Sequence, residues 1–110
     1  MDAFLVHEYL TRAKANPYRD WLSSLDKKVR ARVQARVMRF EQGNLGDCKP
    51  LGDGVWEARL MFGAGYRIYF ALDGRTILLL LLGGDKRTQD KDIKLAQQYW
   101  NDYCSRGEDD

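Results

Sequence analysis

Cysteine and histidine are almost missing from this chain: two of the first and one of the second in 110 residues. Cys48 and Cys104 are too few for a disulfide scaffold, so a reduced, cytoplasmic setting is expected. The cysteines lack ligand spacing and His7 stands alone, so no metal or other cofactor is implied. Long apolar runs are also missing. The longest aliphatic stretch, Ile77 to Leu82, has six residues, against ~20 for a bilayer span, and no membrane contact is expected. The N-terminus lacks a basic segment followed by an apolar one, so no export signal is visible. Nor does one charge dominate. Eighteen basic and sixteen acidic residues give +2, a total that by itself argues against a strong polyanion binder.

What is present is ordinary globular material, 45% hydrophobic and 31% charged, in a length that suits one domain. The charge is unevenly placed. Lys27 to Arg39 holds six cations and no acid, whereas Ser105 to Asp110 ends in Glu108, Asp109 and Asp110. Residues 1–104 therefore carry seventeen basic against thirteen acidic groups, a body of +4. The expected organisation is one domain over 1–104, with 105–110 an acidic, disordered tail.

The pattern predicts an α+β fold. Leu5 to Thr11 alternates as a first strand. Asn16-Pro17 opens a short helix bearing Tyr18, Trp21, Leu22 and Leu25. Asp26 caps a second helix in which Val29, Val33, Val37 and Phe40 form the apolar stripe, and Gly43 ends it. A polar loop is expected from Asn44 to Gly54. Strands follow at Val55 to Phe62, Tyr66 to Leu72 and Thr76 to Leu82, joined at Gly63-Ala64-Gly65 and Asp73-Gly74 and ended by Gly83-Gly84. The last strand is apolar on both faces and so central. A third helix, with Ile93, Ala96, Trp100 and Tyr103 on one side, runs from Thr88 to about Cys104.

Alternation sorts the strand residues into two faces. With Trp56, Ala58, Leu60 and Phe62 packed under the helical hairpin, Glu57 and Arg59 point the other way. On the neighbouring strand Ile68 and Phe70 point in, so Arg67 and Tyr69 point out. Lys49 lies in the loop before these strands and Lys86 just after the last one. Arg59, Arg67, Lys49, Lys86, Tyr69 and Glu57 could thus line one open, basic groove. Such a set suits phosphodiester cleavage by an RNA 2′-hydroxyl, which needs a base, a proton for the leaving oxygen, and cations for the developing charge. The plainer alternative is the polar face of a half-solvated sheet, with Glu57 paired to Arg67. The Lys27–Arg39 run reads as a solvated helix face more readily than as an RNA track. His7 reads as incidental, and Gly83-Gly84-Asp85-Lys86 lacks the spacing of a nucleotide-phosphate loop.

Several stretches carry a resemblance. Gly43-Asn44-Leu45-Gly46-Asp47-Cys48-Lys49, Gly54-Val55-Trp56-Glu57-Ala58-Arg59, Phe62-Gly63-Ala64-Gly65-Tyr66-Arg67-Ile68-Tyr69-Phe70 and Gly83-Gly84-Asp85-Lys86-Arg87-Thr88-Gln89-Asp90-Lys91-Asp92-Ile93 resemble toxins of type II toxin–antitoxin modules. The branch they look like is the HigB-like addiction module killer group of the RelE/ParE superfamily, matched from about Tyr18 to Tyr103. Ala64 stands where that group often has proline, and Met1 to Asn16 is less familiar.

The resemblance implies a small RelE-like fold: an antiparallel meander sheet, an N-terminal helical hairpin on one face and a C-terminal helix. It further implies a cytoplasmic, metal-independent endoribonuclease that cuts mRNA on the ribosome. The group's functional positions fall on Arg59, Arg67, Lys49 and Lys86, with Tyr69 and Glu57 beside them. The implied partner is a cognate antitoxin of the helix-turn-helix DNA-binding type, operator DNA being reached only through it. An acidic antitoxin segment could lie along the second helix beside Ala35 and Met38; plain solvent is the alternative there. ParE-like relatives share the fold and inhibit DNA gyrase without cutting RNA, and a catalytically degenerate module that only binds its antitoxin is a third possibility.

Overall fold

A computed structural model of the chain describes residues 3–108. The elements are β1 (Leu5–Glu8), α1 (Pro17–Ser24), α2 (Lys27–Glu41), β2 (Cys48–Gly52), β3 (Val55–Leu60), β4 (Tyr66–Asp73), β5 (Ile77–Gly84) and α3 (Gln89–Glu108), the last reached through a 3-10 turn at Lys86–Thr88. The sheet order is β1-β5-β4-β3-β2. The four later strands form an antiparallel meander, and β1 lies parallel to β5 at the edge. This is the expected α+β architecture, with a mixed sheet.

The local signals explain most of it. The Asn16 side chain accepts from the Arg19 amide with Pro17 just inside α1, and Asp26 accepts from the Lys28 and Val29 amides at the start of α2. Gly43, at φ +85°, supplies the left-handed turn after α2. Several boundaries differ from expectation. β3 stops at Leu60, short of Phe62. β2 occupies the middle of the segment expected to be loop; its Pro50 is tolerated because the strand is at an edge. β1 stops at Glu8, short of Thr11. β5 takes in Gly83 and Gly84. α3 passes Cys104 and reaches Glu108, so residues 105–108 are helical. Asp109 and Asp110 lie outside the described residues.

The sheet carries apolar layers on both sides. One joins Tyr18, Leu22, Val33 and Phe40 of the helical hairpin to Ala58, Leu60, Ile68, Phe70, Leu78 and Leu80. The other packs Ala96 and the flanking Ile93, Tyr99, Trp100 and Tyr103 of α3 on Val55, Tyr69, Ala71, Leu79, Leu81 and Leu82. This second layer corrects the expectation of an open sheet face: α3 covers much of it, leaving accessible the end near the β3–β4 turn and Lys49 on the β2 edge. Both glycines at the end of β5 are places of close approach. A Cβ on Gly83 would run into the Trp21 ring of α1, and one on Gly84 into the Asp92 carboxylate of α3.

Candidate functional site

The strand register puts the polar face residues into two rows. Lys49, Glu57 and Tyr69 stand opposite one another across β2, β3 and β4; one step on, Arg59 stands opposite Arg67. Two arginines directly across a strand pair repel each other unless anions lie between or beside them. Here Arg59 pairs with Asp47 at 3.3 Å, and the Arg67 Nε lies 3.7 Å from Glu57. An Arg67 guanidinium N–H also donates to the Gly65 carbonyl at 3.3 Å. Lys86 reaches the same place from β5: its amide donates to the Ala64 carbonyl at 3.3 Å. Gly65, at φ +73°, lets the chain pass this close, since a Cβ there would sit 3.3 Å from that of Lys86.

Arg59, Arg67 and Lys86 thereby converge on an open groove of about 650 Å³ formed by the β3–β4 turn, Leu60 to Gly65. Lys49 is not among the groove's lining residues; it is exposed on edge strand β2. Glu57 and Tyr69 do not face solvent at all. Both are 0% exposed, which corrects their expected place on an open surface. The reason is the N-terminal end of α3, whose Gln89 side-chain amide donates to Glu57 at 2.8 Å. Burial first, then the neighbouring Glu57 charge, pushes the Tyr69 phenol well above its ordinary range, so it stays protonated. Asp92, accepting from the Thr88 hydroxyl, is also raised by burial.

This layer is under-satisfied. Among the described residues five buried side-chain polar atoms lack a hydrogen-bond partner, and four are here: Glu57 Oε1, Arg59 Nε, Arg67 Nε and the Tyr69 hydroxyl. Two of these atoms, Glu57 Oε1 and Arg67 Nε, are the ion pair at 3.7 Å. With two guanidinium groups and an ammonium at its rim, the groove is suited to a phosphate.

Sequence reasoning missed two supporting residues. Gln89 falls on the inward side of α3 at helical spacing from Asp92, Ile93 and Ala96, and that spacing is the signal that could have found it. Arg36 was grouped with the solvated arginines of α2, yet it is 9% exposed. Its guanidinium donates to the carbonyls of Leu45, Asp47 and Arg59 at 2.8–3.3 Å. The Gly46 backbone folds around it at φ +67°, where a Cβ would approach the guanidinium to 2.9 Å. Arg36 thus sets the backbone at both Asp47 and Arg59. Its signal was position: it lies three residues after Val33 and four before Phe40 on the buried stripe. His7 is exposed on β1, at the other edge of the sheet from β2.

Residues 20–101 match the family described as Phage derived protein Gp49-like (DUF891). An uncharacterized protein of Haemophilus influenzae (strain ATCC 51907 / DSM 11121 / KW20 / Rd) is 46% identical over 78 residues, covering 70% of this chain and 79% of that relative. The family match runs from within α1 into α3 and takes in every residue lining the groove, and the chain belongs to this Gp49-like family of addiction-module killer, RelE-like toxins.

Proposed function

We propose that the chain is the toxin of a type II module, that it cleaves mRNA on the ribosome, and that a cognate antitoxin neutralises it. The observation that carries this reading is the convergence of Arg59, Arg67 and Lys86 on one groove, with the buried Glu57 behind Arg67. Arg59 and Arg67 hold the non-bridging oxygens of the scissile phosphate. As the 2′-oxygen bonds to phosphorus its proton passes to solvent water in the open groove and the bond to the 5′-oxygen breaks; charge grows on the non-bridging oxygens, and the arginine N–H groups bind that transition state more tightly than the ground state. Lys86 supplies a further positive charge and a proton donor at the leaving 5′-oxygen. Glu57 and Gln89 act from beneath by aiming the Arg67 fork. Lys49 meets the RNA along the β2 edge, away from the reacting bond. The antitoxin is of the helix-turn-helix type, and operator DNA is reached through it.

Induced expression without antitoxin tests this. Growth stops and cellular mRNAs are shortened, whereas the Arg59→Ala protein permits growth; Arg59 is partly exposed, so the variant folds. Arrest with intact mRNA and blocked DNA supercoiling would identify a gyrase inhibitor instead. Unimpaired growth would leave only an antitoxin-binding module.

A further inference from the structure

The groove does not end at the β3–β4 turn. Leu60, Met61 and Phe62 form one wall of it and also line a smaller cleft of about 160 Å³, whose other wall is Arg32, Arg36 and Arg39 of α2. Met61 is 80% exposed on the ridge between the two. The Arg32 guanidinium lies over the Phe62 ring, 4.1 Å from its centre. Arg36 is engaged with three backbone carbonyls. Arg32 and Arg39, by contrast, have no ion-pair partner among the described residues. The first half of the second cleft is thus an aromatic ring capped by a guanidinium, and the second half is uncommitted positive charge.

We propose that a single-stranded RNA continues from the groove over the Met61–Phe62 ridge into this cleft, its next phosphates held by Arg32 and Arg39. This rests on the nuclease reading of the groove and names a second binding stretch for the same substrate. Charge and shape favour RNA over an acidic protein segment. Alternating planar and cationic groups match the base-then-phosphate repeat of an unpaired strand, which stacks on exposed rings and arginine planes. Two clefts sharing one apolar ridge also give a path along which successive nucleotides step.

Binding, measured apart from cleavage, tests the track. The probe is a 2′-O-methyl RNA of about ten nucleotides, within the span of ordinary single-strand sites; it lacks the 2′-hydroxyl nucleophile and stays intact. Fluorescence anisotropy is read over a range of salt for the wild type and for Arg32→Ala/Arg39→Ala. The variant should bind about tenfold more weakly and lower the slope of log affinity against log salt by about 1.4, at ~0.7 per lost phosphate contact on a single strand. A dinucleotide with one phosphate should bind both proteins alike. Unchanged affinity for the long probe would overturn the track, as would an equal loss for both probes. So would arginine-dependent binding of a polyglutamate peptide with unchanged RNA binding, which would assign the cleft to an acidic partner. Because the probe cannot be cut, failure here and absence of mRNA cleavage in cells are separate results.

Discussion

Arg67 is held between two unlike neighbours, Arg59 beside it on β3 and the fully buried Glu57 behind it. Arg67→Ala would therefore do more than remove the proposed phosphate ligand: it would strand a buried carboxylate, a change that costs ~3–5 kcal/mol in comparable sites. We expect Arg67→Ala to lose several kcal/mol of stability in urea unfolding. Adding Glu57→Gln should return most of that stability, since the neutral amide no longer needs a cation. Cleavage should stay lost in the double variant. Recovery of cleavage along with stability would show that Arg67 serves the fold rather than the phosphate. The pair separates the two roles because stability depends on the Glu57–Arg67 match, whereas the proposed cleavage would depend on the guanidinium fork itself.

At the scale of elements, strand alternation was a sound guide to which side of the sheet each residue takes, and silent on what lies over that side. Glu57, Arg59, Arg67 and Tyr69 do share a face. A period of two, however, carries no information about α3, which closes over Glu57 and Tyr69 and leaves the arginine end accessible. β2 was illegible for a different reason: Cys-Lys-Pro-Leu-Gly has neither alternation nor β-branched residues, and only its pairing to β3 makes it a strand. The element that fixes the groove from the other side is α2, through Arg36. Arg36→Ala would leave the Leu45, Asp47 and Arg59 carbonyls without this donor. The expected cost is ~2–4 kcal/mol, a melting temperature lower by roughly 10 °C in a domain of this size. A melting temperature within a degree of wild type would mean that the loop before β2 holds itself.

Over the whole molecule, the two ends of the described chain are fastened together. The Tyr9 hydroxyl donates to Asp102 at 2.5 Å, the Arg12 side chain at 3.0 Å, and Arg106 bonds Asp102, the Tyr9 oxygen and the Leu10 carbonyl. The Tyr9 hydroxyl and the Arg106 guanidinium lower the Asp102 carboxyl to about 2. Because its folded value lies below the unfolded one, this link stabilises fully above about pH 4, the ordinary range of a carboxyl, and is lost as pH falls through about 2. The protection of amides near the C-terminal end of α3, their exchange relative to the intrinsic rate at each pH, should therefore fall on acidification over that window, and Arg106→Ala should show the lower protection already at neutral pH. Protection insensitive to both changes would remove the link. The same whole-molecule view bears on the low net charge: with +2 overall, the cations proposed to meet RNA stand at the β3–β4 turn and along one side of α2 rather than over the entire surface.

The central claim is that the groove directs a 2′-hydroxyl onto the adjacent phosphate, and the chemistry of the cut ends tests it most directly. Purified protein added to translating ribosomes should yield mRNA fragments ending in a 2′,3′-cyclic phosphate and beginning with a 5′-hydroxyl, and Arg59→Ala should yield few or none. Fragments with a 3′-hydroxyl and a 5′-phosphate, or mRNA left intact by the wild-type protein, would contradict it.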